Sequence, residues 1–231
     1  MIPYSKGIIR YDSEKDKVER IGGTWEYISD FSIGGKKITF FDEIRKKRWY
    51  GILRISNTDG SQDEVLLDSR EPDSPFYRLD IQRNCLLSAD GRRVAFVTRQ
   101  YSTPYIRRRR SEEDIYKIWW MNTDGSGLKE QVLNFPISYF YDRLFAWPSS
   151  SDNIFLGVEE RSKTFKKIAY KILKVDLENG NRETLFEDMG SPYRLRVSPG
   201  QNYLATVIWE EKGTIVLVNL RTFEKKSCLR I

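Results

Sequence analysis

Histidine is absent from all 231 residues. That removes the commonest general base, the commonest zinc ligand and every Ser-His or Cys-His nucleophile pair. No Gly-x-Ser-x-Gly elbow compensates for the loss. The two cysteines, Cys85 and Cys228, could form one bridge at most, and two buried free thiols are the preferred reading. No stretch approaches the roughly 18 apolar residues of a membrane span. The first residues, Met1-Ile2-Pro3-Tyr4-Ser5-Lys6-Gly7, lack the apolar core of a secretory leader, and no Asn-x-Ser/Thr sequon occurs. A cytoplasmic setting is the default expectation, with a periplasmic or extracellular one if the chain is a mature or excised domain. No catalytic set, metal site or cofactor motif is read from the chain.

What the chain does have favours strands. Tyr, Phe and Trp make up 13% of it, which points to pleated, half-buried surfaces over helices. The length suits one large all-β domain or two small ones. The net charge of +6 permits an acidic partner without demanding one.

One pattern recurs: strand, Ser-rich Gly or Asp turn, apolar strand, polar loop, alternating strand, Asp/Asn-Gly turn, short last strand. Its clearest copy runs from Tyr77 to Leu133. Leu86-Leu87-Ser88-Ala89-Asp90-Gly91-Arg92-Arg93-Val94-Ala95-Phe96-Val97 is strand, turn, strand, and Asp114 to Met121 is the third strand. Asn122-Thr123-Asp124-Gly125-Ser126-Gly127 is the second turn, because Asp-Gly supplies the positive φ of a tight hairpin. The preceding copy turns at Gly34-Gly35 and at Asn57-Thr58-Asp59-Gly60-Ser61. A third starts with Leu144 to Pro148 and turns at Ser149 to Asn153 and at Glu178 to Asn181. A fourth turns at Ser198-Pro199-Gly200 and ends with strands over Thr214 to Leu220 and Lys225 to Leu229. The opening residues match only the last two strands of a unit: Ile8 to Tyr11, a turn over Asp12 to Asp16, and Val18 to Ile21.

Ser88-Ala89-Asp90-Gly91-Arg92-Arg93-Val94-Ala95-Phe96 and Met121-Asn122-Thr123-Asp124-Gly125-Ser126-Gly127-Leu128 resemble the repeat signatures of TolB-like β-propellers, and Ser198-Pro199-Gly200 is a weaker match. The resemblance implies an all-β propeller of four-stranded antiparallel blades, about four and a half of them, as a five-bladed ring or a partial propeller. The expected blades are 7–21 (partial), 25–68, 77–134, 139–187 and 193–231, in one propeller domain or propeller fragment spanning 1–231. A sandwich or barrel of short strands is the competing architecture.

Blade topology sorts the charges. Turns between strands one and two and between three and four share one face, which carries Asp59, Asp90, Asp124, Asp152 and Asn179. The loops between strands two and three share the other, and as a set they are basic: Glu43 to Trp49 with Arg45 to Arg48, Arg99 through Arg107-Arg108-Arg109-Arg110, Arg161 to Lys167, and Glu210-Glu211-Lys212-Gly213. The loop from Gln100 to Glu113 is too long for a simple hairpin. The blade links repeat an aromatic-Arg theme: Trp25 and Tyr27, Tyr77-Arg78, Tyr141 with Arg143, and Tyr193-Arg194. Each precedes an innermost strand, so these side chains are expected to ring the channel mouth, where aromatics and Arg forks grip carboxylate or phosphate. Packing of the tyrosines between blades, and solvation of the Arg run beside Glu112, Glu113 and Asp114, are the plainer readings of the same residues.

Trp25, Tyr27, Tyr77, Arg78, Tyr141, Arg143, Tyr193, Arg194 and Arg107 to Arg110 are therefore the candidate ligand-binding residues of a non-catalytic module for an acidic ligand or protein partner. An enzyme acting on acidic polysaccharide is the first alternative, with Tyr77 or Tyr193 as base, although TolB-like lyases generally use the histidines this chain lacks. An accessory propeller of a prolyl-oligopeptidase-type peptidase is the second. Nucleic acid ranks below these, since no recognised module is present. An oligomer joined through an open terminal blade is the further partner expected.

Overall fold

The computed structural model describes residues 8–12, 16–21, 28–45, 49–76, 80–100, 115–133, 145–147, 152–161, 168–187, 191–198, 202–209, 213–222 and 224–230. Among them there is no helix. β1 (Ile8–Asp12) and β2 (Lys17–Ile21) form a two-stranded antiparallel sheet. Four four-stranded sheets follow, each with its strands side by side in chain order. The first holds β3 (Ile28–Gly34), β4 (Lys37–Arg45), β5 (Trp49–Asn57) and β6 (Glu64–Asp68). The second holds β7 (Asp80–Leu87), β8 (Arg93–Gln100), β9 (Ile115–Asn122) and β10 (Lys129–Leu133). The third holds β11 (Phe145–Ala146), β12 (Asn153–Arg161), β13 (Ile168–Asp176) and β14 (Arg182–Phe186). The fourth holds β15 (Ser191–Val197), β16 (Tyr203–Trp209), β17 (Gly213–Asn219) and β18 (Lys225–Arg230).

Second strands explain why sheets stack. Ile38 to Phe41 in β4, Val94 to Thr98 in β8 and Ile154 to Val158 in β12 are buried without a break. A strand covered on both faces has no polar side, so its sequence reads as a continuous apolar run. Fourth strands are different: β6 and β14 begin exposed and bury only near their ends.

The chain divides into two compact units, residues 1–99 with 118–130 and residues 100–117 with 131–231. In the first, β7 lies against β3, β4 and β5. Phe41, Leu53, Ile55 and Leu67 meet Phe76, Cys85, Leu87, Val94, Phe96, Trp119 and Met121 in one apolar core. The Trp119 indole N–H, which burial would otherwise leave unpaired, donates to the Thr98 hydroxyl at 2.8 Å.

In the second unit β15 lies against β11 and β12. Ala146, Phe155, Ile172 and Phe186 pack on Leu195, Leu204, Val216 and Val218. Thr206 shares the face of Leu204 on β16 and is 2% exposed, and among the described residues its hydroxyl is a buried oxygen without a hydrogen-bond partner. Such a group costs about 1–3 kcal/mol in desolvation. Thr206→Val is therefore expected to raise stability by ~1 kcal/mol, read as a higher urea midpoint. A fall of that size would show that the hydroxyl is bonded after all.

One expectation needs correction. Both cysteines are free and Cys85 is buried, but Cys228 is exposed, because β18 is an edge strand. Of the strand expected over Leu144 to Pro148, residues 145–147 are described, and Phe145–Ala146 is strand there.

Candidate functional site

The pentapeptide Asn-Thr-Asp-Gly-Ser occurs at 57–61 and again at 122–126, and both copies fold alike. Asn57 N–H donates to Ser61 O at 2.8 Å and Asn122 N–H to Ser126 O at 2.9 Å. Asp59 Oδ1 accepts from Ser61 N at 2.9 Å and from its hydroxyl at 2.6 Å, and Asp124 Oδ1 accepts from Ser126 with the same two distances. Asn57 Nδ2 and Asn122 Nδ2 close the turns on the serine oxygens. The glycines take φ of 85° and 84°, which only glycine adopts freely. Hydrogen bonds from the Ser126 side chain and backbone hold the Asp124 carboxyl below the usual range. These acidic turns are thus built around their own carboxylates.

The first turns of the first two sheets lock together. Gly35 N–H donates to Ala89 O at 2.7 Å, and Leu87 N–H to the Ser32 hydroxyl at 3.0 Å. A Cβ on Gly34 would lie 2.0 Å from Ser88 O, and one on Gly91 2.4 Å from Gly34 O. Thr123 ties in the next strand pair, donating from its N–H to Arg92 O at 2.9 Å and from its hydroxyl to Gly91 O at 3.2 Å. Lys37 Nζ reaches Thr123 Oγ1 at 3.3 Å. Asp90 caps its turn through Ser88 Oγ at 2.6 Å and Arg92 N at 3.1 Å. Burial raises the Asp90 carboxyl, but those bonds and the charges of Arg92 and Arg93 outweigh it, so it titrates below the usual range.

The opposite end of each sheet is where its second and third strands are joined, through basic segments in the first three four-stranded sheets. β4 and β5 close with Arg45 opposite Trp49, β12 and β13 with Arg161 opposite Ile168, and β16 and β17 with Trp209 opposite Gly213. β8 ends at Gln100 and β9 starts at Ile115. In the first three four-stranded sheets, therefore, the acidic turns and the basic connections spring from opposite ends, whereas the connection between β16 and β17 in the fourth is Glu210-Glu211-Lys212.

Of the residues read from the sequence as binding, Trp25, Tyr27, Tyr77, Arg78, Tyr141, Arg143 and Arg107 to Arg110 lie outside the described residues. Tyr193 and Arg194 stand on β15. There the register jumps from Pro192 opposite Ile208 to Leu195 opposite Thr206, so the two residues form a bulge. Sequence pattern had not shown it. β3 and β7 are also irregular, at Ser29 and at Gln82 to Asn84. Bulges re-aim side chains and recur beside binding sites. The only signal was the crowding of turn-like and aromatic residues where each first strand begins.

Among the described residues no group of three or more His, Cys, Asp or Glu could hold a metal ion, and no helix is long and apolar enough to cross a membrane.

No family profile matches the chain, and no curated protein does. Solved structures do. The tricorn protease superposes with a TM-score of 0.63 at 11% identity, over 97% of this chain and 24% of that one. TolB from Acinetobacter baumannii gives 0.58 at 13%, over 96% and 48%. The β-propeller domain of the trilobed protease from Pyrococcus furiosus, described as having an open velcro topology, gives 0.59 at 15%, over 96% and 61%. The chain spans less than two thirds of each. At these identities the likeness is one of fold: a TolB-like β-propeller, all-β, of four-stranded antiparallel blades, with a partial propeller fitting the sheets observed.

Proposed function

We propose that this protein is a non-catalytic binding propeller that recognises an acidic ligand or an acidic protein surface at the sheet ends opposite the Asp-Gly turns. The carrying observation is the segregation of charge along the first three four-stranded sheets. The carboxylates of Asp59, Asp90 and Asp124 are engaged in holding their own turns, whereas Lys46, Lys47, Arg48, Arg107 to Arg110, Lys163, Lys166 and Lys167 all belong to connections at the other end. Tyr77-Arg78, Tyr141 with Arg143, Tyr193-Arg194, and Trp25 with Tyr27 would supply the stacking and fork contacts of the same surface. Blades 25–68, 77–134, 139–187 and 193–231, with the partial 7–21, would form one propeller or propeller fragment. The likeness to propellers of peptidases supports a second reading, an accessory propeller that binds peptide for a separate catalytic domain.

Heparin titrations followed by fluorescence anisotropy test the proposal. Binding should weaken steeply with salt, because exposed contacts are screened beyond about 10 Å at 0.1 M. Replacing Arg107 to Arg110 by Ser should lower affinity at low salt by ~10-fold, about 1.4 kcal/mol spread over four charges. No heparin binding at low salt would overturn the acidic-ligand reading. New ultraviolet absorbance on incubation with acidic oligosaccharides would overturn the non-catalytic one.

A further inference from the structure

One hydrogen bond puts the four-stranded sheets in a common register. In each, the residue that follows the third strand donates its N–H to a carbonyl beside the start of the second: Thr58 to Lys36, Thr123 to Arg92, Leu177 to Asp152 and Leu220 to Asn202. Four residues on from that carbonyl stand Phe40, Phe96, Leu156 and Thr206. Phe40, Phe96 and Leu156 are fully buried apolar side chains. Thr206 is buried too, yet among the described residues its hydroxyl has no hydrogen-bond partner. One residue further stand Phe41, Val97, Gly157 and Val207. Opposite Phe41, Gly157 and Val207 lie Leu53, Ile172 and Ile215.

This register exposes a deficit of bulk in one core. Between the first two four-stranded sheets Phe41 meets Phe96, with ring centroids 6.5 Å apart, and Trp119 lies parallel to Phe96 at the same distance. Between the third and fourth the matching residues are Gly157, Thr206 and Val216, which stands four before Leu220 as Trp119 does before Thr123. All three are buried. Ile172, opposite Gly157, and Leu195, opposite Thr206, belong to this core. Three rings are thus exchanged for a hydrogen, a hydroxyethyl group and an isopropyl group. Phe155 at the place of Thr39, Phe186 at that of Leu67 and Leu195 at that of Cys85 return part of the volume. They bring no partner for the hydroxyl. A buried water would need about three polar partners, whereas Ile172, Phe186, Leu195 and Val216 are apolar. An apolar body with one polar group meets both needs.

We propose that the core between the third and fourth four-stranded sheets is a binding site for a small aromatic molecule bearing one hydroxyl, a phenol in the simplest case. The ring stands where Phe41 and Phe96 meet in the other core, and its hydroxyl pairs with that of Thr206. A space of about 150 Å³ lined by Leu, Ile and Phe is enough to hold benzene. Thr206 is 2% exposed, so the site encloses a whole molecule and not the side chain of a polymer. Entry is from β15, where the Tyr193-Arg194 bulge takes two residues out of the ladder next to Leu195. The site is apolar and does not depend on the acidic-ligand reading.

Isothermal titration calorimetry of the 231-residue chain with phenol and with benzene tests this. Saturable binding of phenol is expected, with a dissociation constant of about 1 mM or below. Thr206→Val keeps the shape and removes the hydroxyl, so it should weaken phenol by ~10-fold and leave benzene within ~3-fold. Thr206→Leu, which introduces the side chain that Leu156 supplies in the third sheet, should block both. The valine variant keeps the test valid should the leucine variant misfold. A wild-type chain that takes up no phenol saturably overturns the proposal. So does a phenol affinity unchanged by Thr206→Val, and so does binding of either molecule that survives in a folded Thr206→Leu chain.

Discussion

Gly34→Ala is expected to cost ~3 kcal/mol or more and to unfold the unit built on the first two four-stranded sheets at urea concentrations the wild type withstands. The added Cβ would stand 2.0 Å from Ser88 O, 2.9 Å from Leu87 Cβ and 3.1 Å from Ser88 C. None of these is the tip of a flexible side chain. Relief requires the β7–β8 turn to move off β3, which breaks Gly35 N–H to Ala89 O and Leu87 N–H to the Ser32 hydroxyl. Each is worth roughly 1 kcal/mol net, and more where a buried group is stranded. Separation of the sheets would add the loss of apolar contact behind the turn. Against a total stability of roughly 5–15 kcal/mol, that is a large share. Urea melts followed by tryptophan fluorescence measure it. Gly125→Ala is the matched control, since nothing lies within 4 Å of its Cβ and only its φ of 84° is at stake. A cost of ~1 kcal/mol is expected there. A wild-type midpoint for Gly34→Ala would mean that the two turns are not in contact.

Phe96→Ala should be comparably severe, at about 3–5 kcal/mol, the range for removing a buried phenyl ring from a packed core. Phe96 is 0% exposed at the middle of β8. Its ring lies edge-on to Phe76 at 5.2 Å and to Phe41 at 6.5 Å, and parallel to Trp119 at 6.5 Å. Three aromatic neighbours from separate segments cannot all collapse into the space it would leave. The near-ultraviolet circular dichroism of Trp119 should fade in the folded variant, and Phe96→Leu should restore much of the stability. A loss below ~1 kcal/mol would show a loosely packed centre. Because Gly34→Ala and Phe96→Ala loosen the same contact between β7–β8 and β3–β5, their costs should not add.

The turns were legible because their causes are local. Asp59-Gly60 and Asp124-Gly125 form hairpins through bonds that begin and end within five residues. Likewise β1 and β2 fall where alternation and the Asp12 to Asp16 turn put them. The Tyr193-Arg194 bulge escaped notice because a bulge is a mismatch between two strands, here β15 and β16, and neither carries the information alone. The wrong expectation for Cys228 has a similar origin: small apolar residues are usually inside, but the strand that would cover β18 is not encoded in its own sequence.

What the sequence by itself determined is therefore the order of strands, the position of every Asp-Gly turn, and the segregation of acidic turns from basic connections to opposite ends of the first three four-stranded sheets. These follow from φ preferences, side-chain alternation and antiparallel direction, all set within a few residues. Only the tertiary structure decided which faces are closed. Leu53, Ile172 and Ile215 occupy one position in three sheets, and all are branched apolar residues. The first two are fully buried and the third is not, because burial depends on the sheet that packs against a strand.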